Sequence, residues 1–425
     1  MLASPNTPAI SDNELFKLVR SDFQITNKRI YLNNGSIGPL PLSTIKSITD
    51  FCLRYSEMGP DSQEFNVYLD ELKKEVRQRL ADLINCRNDE IIFTQSTTEG
   101  INFVANGIDW RKGDKVLVRD PINEHYSNYL PWVKVSNDLG LCLNHFPSLT
   151  NSMATGKHLV SEFEQIYNHN PVRMVTTSHV MYNNGSITPI EKISDCINKG
   201  AHDTLLVVDG AQSVGSIKVD VKSLKCDFMT FPAFKWICAP LGIGILFVRK
   251  QLMEEFKSVF VGSGSGVAET LPNLYNTEKS NGIRKVIKFH EYPEKFHSTF
   301  RNFPGLAGLE ASLRYILRIG IPKINQRNKI LYSILREGLA NNKEILIHEA
   351  EEEVFRSNML SFSLKVRNNE RIPKINQILQ KSGIIMAERE LGEKKILRMS
   401  PHFFNSEEEM SHTINAIKSS IRKMD

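Results

Sequence analysis

Apolar positions along the chain fall into two textures. Between Leu32 and about Gly305, short and nearly continuous apolar runs alternate with stretches in which apolar residues recur every three or four positions. The runs are EIIFT (90–94), DKVLVRD (114–120), LGLCLNHF (139–146), VRMVTTSHV (172–180), TLLVVD (204–209), DFMTF (227–231) and GIGILFV (242–248). Runs that are apolar at almost every position and rich in β-branched residues suit strands buried on both faces of a sheet. The segments between them, such as SQEFNVYLDELKKEVRQRLADLI (62–84) and GKHLVSEFEQIYN (156–168), carry helical spacing. Strands alternating with helices predict an α/β fold with a mostly parallel sheet.

The ends of the chain read differently. NELFKLVRSDF (13–23) is a short amphipathic helix with Ser11 or Asp12 as its N-cap. After about residue 305 come two helical stretches, GLEASLRYILRIG and PKINQRNKILYSILREGLA. Strands NMLSFSLKV and KKILRMS and a final helix, SEEEMSHTINAIKSSIRKM, follow. The expected organisation is an N-terminal tail and short helix over 1–30 packing on a small domain, a large α/β domain over 31–305, and that small α+β domain over 306–425. GSGSG (262–266) is expected to be a mobile loop near the cleft; it completes neither a dinucleotide-binding nor a P-loop pattern.

Composition narrows the class. The 425 residues carry a net charge of +5, and the basic clusters, such as Lys73–Lys74 and Lys394–Lys395, are interleaved with acids. They read as solvated faces rather than a nucleic-acid footprint. The six cysteines include no Cys-x-x-Cys pair, which argues against a zinc site or a disulfide framework and suits a reducing compartment. The first residues lack the apolar core of a signal peptide, and no apolar run reaches the length of a membrane span, so a cytoplasmic location with no membrane partner is expected.

Three groups stand at carboxyl ends of the predicted strands, where open α/β sheets bind ligands. Asp209 ends LLVVD and is followed by Gly210, Ala211 and Gln212; Lys235 follows DFMTF; TQSTTEG (94–100) follows EIIFT and opens a helix. Each has a structural alternative: a turn-capping aspartate, a lysine that reaches out to solvent, an N-cap box. Together they make a chemistry. A lysine flanked by Phe234 and Trp236 is desolvated and can act as a neutral nucleophile. A carboxylate on the neighbouring strand can keep a pyridinium nitrogen protonated, and a helix N-terminus rich in Ser and Thr can bind a phosphate. These are the requirements of pyridoxal 5′-phosphate (PLP).

The stretch DGAQSVGSIKVDVKSLKCDFMTFPAFKWICAPLGIGILFV (209–248) resembles the core of the class V aminotransferase family. Its members include cysteine desulfurases, isopenicillin N epimerase-like proteins, kynureninases and C–S lyases. The family's Asp-x-Ala-Gln, its Asp-Phe with a lysine seven residues on, and its Pro-x-Gly-x-Gly are all present. The likeness runs from YLNNGSIGPLP (31–41) to LRMSPHFFN (397–405). It implies the PLP-dependent transferase fold type I and PLP as cofactor. It implies that Lys235 forms the Schiff base and moves protons at the substrate Cα, that Asp209 pairs with the pyridine nitrogen, and that Gln212 binds the ring's phenolic oxygen. His125 would stack on the ring, Thr97 and Thr98 would hold phosphate, and Arg398 would clamp the substrate carboxylate, with Asn33 and Asn183 beside the substrate. The family also implies a homodimer with a shared cleft, in which Arg301 or Thr299 would serve the partner's phosphate site.

Several positions depart from the family pattern. Pro232 and Phe234 stand where a serine and a histidine are usual, Phe300 replaces a partner-facing threonine, and the ring-side asparagine falls at Tyr182, with Asn183 next. The loop IIMAERELGEKKI (384–396) holds no cysteine, and Cys238 lies in another segment. From that loop the chain is expected not to be a typical cysteine desulfurase, and the resemblance implies a PLP-dependent enzyme acting on an amino acid, with aminotransferase-type chemistry. C–S lyase or epimerase chemistry is the alternative, as is a catalytically silent relative with an altered phosphate site.

Overall fold

The computed structural model describes residues 11–147, 155–168, 171–200, 202–270, 285–297, 300–365 and 370–423. Its centre is a seven-stranded sheet built from Ile91–Thr94 (β1), Lys115–Arg119 (β2), Cys142–Phe146 (β3), Met174–Ser178 (β4), Leu205–Asp209 (β5), Phe228–Pro232 (β6) and Gly244–Val248 (β7). In space the order is β1-β7-β6-β5-β4-β2-β3. β7 pairs antiparallel with both neighbours, and the remaining pairings are parallel. β4, β5, β6 and β7 are buried at every position, as continuous apolar runs require in a sheet covered on both faces. The run at 139–146 keeps only its second half as strand. Leu139 ends the helix Tyr126–Leu139, and Gly140 caps it at φ 69°.

The C-terminal part adds a four-stranded antiparallel sheet of Ile345–His348 (β8), Leu360–Leu364 (β9), Ala387–Leu391 (β10) and Lys394–Met399 (β11), in the order β8-β9-β11-β10. Helices Ile321–Ala340, Arg371–Lys381 and Glu407–Arg422 supply its core through Leu335, Ile375 and Ile417. The helix Phe303–Ile319 packs into the large core with Leu306, Leu309 and Ile316, and that core runs on to Ile324, beyond the boundary placed at 305 from the sequence. The first helix, Asp12–Ser21, has Ser11 as N-cap with a reciprocal Glu14 contact. It touches both parts of the chain: Phe16 and Val19 join the large core, while Arg20 pairs with Glu409 at 2.7 Å. GSGSG leads into a strand, Gly266–Thr270, paired with Lys285–Phe289. Among the described residues no helix is long and apolar enough to cross a membrane, and no group of three or more His, Cys, Asp or Glu is placed to hold a metal.

Candidate active site

The carboxyl ends of β1, β4, β5 and β6 open on a cavity of ≈ 350 Å³. Gly35, Ser96, Thr97, Thr98, His125, Ser178, Tyr182, Asp209, Gln212, Lys235, Arg389 and Arg398 are among the residues that line it. Asp209 and Lys235 meet because β5 and β6 are register partners, Asp209 opposite Thr230, with Lys235 three residues beyond the end of β6. The helix Thr97–Gly107 enters the same space because β1 runs beside β7, Thr94 opposite Gly244. A Cβ at Gly244 would lie 2.6 Å from the Ser96 carbonyl carbon, so only glycine lets the phosphate-type turn close on the sheet.

The segment carrying Lys235 is held by its carbonyls. Gly38 N donates to Phe234 O at 2.7 Å, Asn34 Nδ2 to Lys235 O at 3.2 Å, and His402 Nε2 lies 3.0 Å from Trp236 O. The lysine amine is thereby fixed on a rigid backbone. Desolvation lowers its pKa to about 8, against the attraction of Asp209, and Arg398 and Arg389 push it the same way as burial. Phe234 lines the cavity, as the sequence suggests. Trp236 does not: it is fully buried, packs with Val180 and Met359, and donates Nε1 to Gln212 Oε1 at 2.9 Å.

Asp209 is 3% exposed, and Ala211 N donates to its Oδ1 at 2.8 Å. Burial raises its pKa to about 6, with that hydrogen bond and Lys235 opposing. Gln212 gives Nε2 to Gly35 O at 2.8 Å, so its amide is oriented by two fixed partners. A Cβ on Gly35 would sit 3.1 Å from Gln212 Oε1 and 3.3 Å from the Arg398 guanidinium carbon, so the missing side chain leaves room between them. His125 caps the helix Tyr126–Leu139. Its Nδ1 accepts from Ser127 N at 3.1 Å, which leaves the proton on Nε2, and burial lowers its pKa to about 4, so the ring is neutral. Tyr182 stands edge-on to it, 4.9 Å between centroids.

Two guanidiniums close the other side. Arg398, at 1% exposure, donates Nη1 to Tyr182 O at 2.6 Å, and Nη2 to Ser36 Oγ at 2.8 Å and to Asn33 Oδ1 at 3.2 Å. Its Nε is buried without a partner. Arg389, on the adjacent strand of the hairpin, donates Nη2 to Ser36 Oγ at 2.6 Å. Desolvation first, then Arg389, brings the pKa of Arg398 to about 9. Among the described residues no carboxylate pairs with either cation. A concave site with two uncompensated cations is built for an anionic ligand.

Asn33, though it does not line the cavity, holds Arg398. Asn183 is a correction. It does not reach the cavity, because its amide is spent in the turn after β4, on Ile122 O and on Asn184 N, and Tyr182 takes the wall position. Arg301 is exposed and lines a separate cavity with Arg77, His297 and Phe300; Thr299 lies outside the described residues. Phe300 is buried against Phe93, 5.6 Å between ring centroids, and carries no hydroxyl to offer a phosphate. GSGSG does not line the central cavity; Gly264 lines the one that holds Arg301. Tyr182, Ser36 and Arg389 also line the cavity; Tyr182 stands at the position of the family's ring-side asparagine, whereas only folding brings Ser36 and Arg389 near Lys235.

A model of the aminotransferase class V family matches residues 30–412. A probable cysteine desulfurase of Pyrococcus abyssi is 29% identical over 96% of this chain and 98% of its own. A cysteine desulfurase of Wigglesworthia glossinidia brevipalpis is 30% identical over 83% of each chain. The apo structure of a cysteine desulfurase from Thermococcus onnurineus superposes with a TM-score of 0.83 at 26% identity, covering 99% and 100% of the two chains. These relatives overturn the expectation that the chain is not a typical cysteine desulfurase. That expectation rested on one stretch, 384–396, which folds as the β10–β11 hairpin with Gly392 at its turn; the likeness extends over nearly the whole chain.

Proposed function

The chain belongs to the class V aminotransferase family, whose cofactor is PLP, and on that premise we propose that it cleaves the carbon–sulfur bond of cysteine or a close cysteine derivative. The observation that carries the proposal is the meeting of Lys235, Asp209 and Arg398 in one cavity of a chain similar throughout to proteins named cysteine desulfurase. Aminotransferase-type chemistry, the first expectation from sequence, gives way to its alternative.

The residues present fit the cofactor. Thr97 Oγ1 is buried and unpartnered at the N-terminus of its helix, where a phosphate would satisfy it together with Ser96, Thr98 and backbone N–H groups. Asp209 would answer a protonated ring nitrogen, His125 would cover the ring and Gln212 would face its phenolic oxygen. When bound, PLP supplies an electron sink for the pair left at Cα when its proton departs. Lys235 holds the cofactor and, neutral above about pH 8, takes that proton at Cα. Arg398 offers its charge and its remaining Nη1 hydrogen to the substrate carboxylate, with Asn33 and Ser36 holding Nη2 and fixing its plane. Arg389 stands beside it and favours an anionic substrate over an amine.

The test is product analysis of the PLP-loaded protein given L-cysteine. Either sulfide with pyruvate and ammonia, by elimination, or, with an added thiol to accept the sulfur as a persulfide, alanine is expected. A keto acid formed only when an acceptor is added, with no sulfur released, would return the aminotransferase reading.

We further propose a cytoplasmic homodimer without nucleic-acid partners, in which the large domain holds PLP and Arg301 reaches the phosphate of the partner's site. Arg301 is exposed and lines a cavity other than the central one, which supports this. Arg301→Ala is expected to weaken PLP binding about tenfold, the loss of one charge-assisted hydrogen bond. A monomer by light scattering, or unchanged PLP affinity, would contradict it.

A further inference from the structure

Trp236 follows Lys235 directly, yet its ring turns away from the cavity and is buried with Val180 and Met359. A buried indole N–H needs an acceptor. Trp110 donates to the Ala105 carbonyl and Trp132 to Asn128 Oδ1, and neither acceptor lines the central cavity. Trp236 differs: it spends its N–H on a side chain that does line the cavity, Gln212 Oε1, at 2.9 Å.

The surroundings hold the indole in that place. The turn after β5 approaches the Trp236 backbone so closely that a Cβ on Gly215, at φ 92°, would lie 2.7 Å from the Trp236 carbonyl carbon. From the C-terminal part, His402 donates Nε2 to Trp236 O at 3.0 Å, and its ring stands edge-on to the indole at 5.1 Å. Asn328 Nδ2 lies 3.1 Å from His402 Nδ1 and fixes that ring in turn. Gln212, at 4% exposure, therefore has one partner on the Lys235 segment. Its second is Gly35 O, which takes an Nε2 hydrogen at 2.8 Å. An indole N–H can only donate and a carbonyl can only accept, so the two partners decide which end of the amide is oxygen and which is nitrogen. One Nε2 hydrogen is left over.

We propose that Trp236 is a positioning residue for the cofactor: its indole N–H holds the Gln212 amide so that the remaining Nε2 hydrogen is the group offered to the cavity. The proposal rests on the PLP reading above, in which that hydrogen meets the ring's phenolic oxygen. With Gly35 O as its sole partner the amide is hinged at one atom and turns about that bond. The indole at the other end removes the hinge. A residue needed only to fill the core would act the same way with or without an amide at position 212.

Two measurements test it. In the apoprotein, an indole ¹H–¹⁵N spectrum should show three signals, one for each tryptophan. The signal that Trp236→Phe removes should move upfield in Gln212→Met, which withdraws the acceptor, while the other two stay in place. In titrations with PLP, Trp236→Phe should weaken binding about fivefold, the scale of one buried hydrogen bond. In a Gln212→Met background the same substitution should cost less than about twofold, because the group through which it acts is gone. An equal loss in both backgrounds, or a Trp236 signal that ignores Gln212→Met, overturns the proposal even if PLP binds normally. Should Trp236→Phe fail to fold, Gln212→Met alone still decides: one indole signal that moves supports the proposal, and none that moves overturns it. A protein that binds no PLP in any form sinks the PLP reading, and the indole signal then decides by itself whether Trp236 holds the amide.

Discussion

Replacing Lys235 by alanine is expected to lower turnover by about 10³-fold or more while leaving the fold intact. The amine has two tasks, holding the cofactor and moving the Cα proton, and general-base removal alone typically costs 10²–10⁴-fold. The fold should survive because the segment is held by backbone carbonyls at Phe234, Lys235 and Trp236 rather than by the amine. The substitution also has a signature in stability. Lys235 titrates at about 8 in the folded protein and at its ordinary 10.5 when unfolded. Between those values the unfolded state binds more protons, so stability rises with pH through that window. The apoprotein's melting temperature should carry this rise, and Lys235→Ala should lack it. A variant that keeps more than a tenth of the activity would remove the lysine from the mechanism.

Replacing Arg398 should produce the second largest effect, on substrate binding. Its guanidinium is buried, held on three oxygens that are all uncharged, and faces the cavity without a counter-ion among the described residues. A substrate carboxylate would supply the missing charge. Losing one partner of a desolvated charged pair costs about 2–5 kcal/mol, so Arg398→Ala should cut kcat/KM by roughly 10²–10³-fold, mostly through KM. Arg398→Lys should not restore it, because an ammonium cannot reproduce the planar fork. The substrate-free protein should lose little stability, since an uncompensated buried cation is removed with the side chain. Unchanged kcat/KM would place the carboxylate elsewhere, with Arg389 as the next residue to replace.

The strands were legible because burial on both faces forces continuous apolar runs, and each of the seven predicted runs contains a strand of the central sheet. Asp209, Lys235 and Thr97 were legible for a related reason: they follow strands directly, so strand order alone carries them to one edge of the sheet. What the sequence hid depends on long-range approach. Arg389 and Ser36 are 353 positions apart yet 2.6 Å in contact, and neither carries a local mark. Trp236 and Asn183 read as site residues from adjacency, but the turn geometry sends one into the core and spends the other on backbone groups. Glu124 resembled any loop acid, since the Ser178 donors that hold its carboxylate lie on a later strand. The boundary at 305 marked a change of texture, whereas the helix Phe303–Ile319 packs back on the large core.

The most direct measurement is peptide mapping by mass spectrometry after PLP loading and borohydride reduction. The predicted result is one modified peptide, with the mass of the reduced cofactor on Lys235. A modification on another lysine, or none at saturating PLP, would contradict the assignment of this cavity as the site of the chemistry.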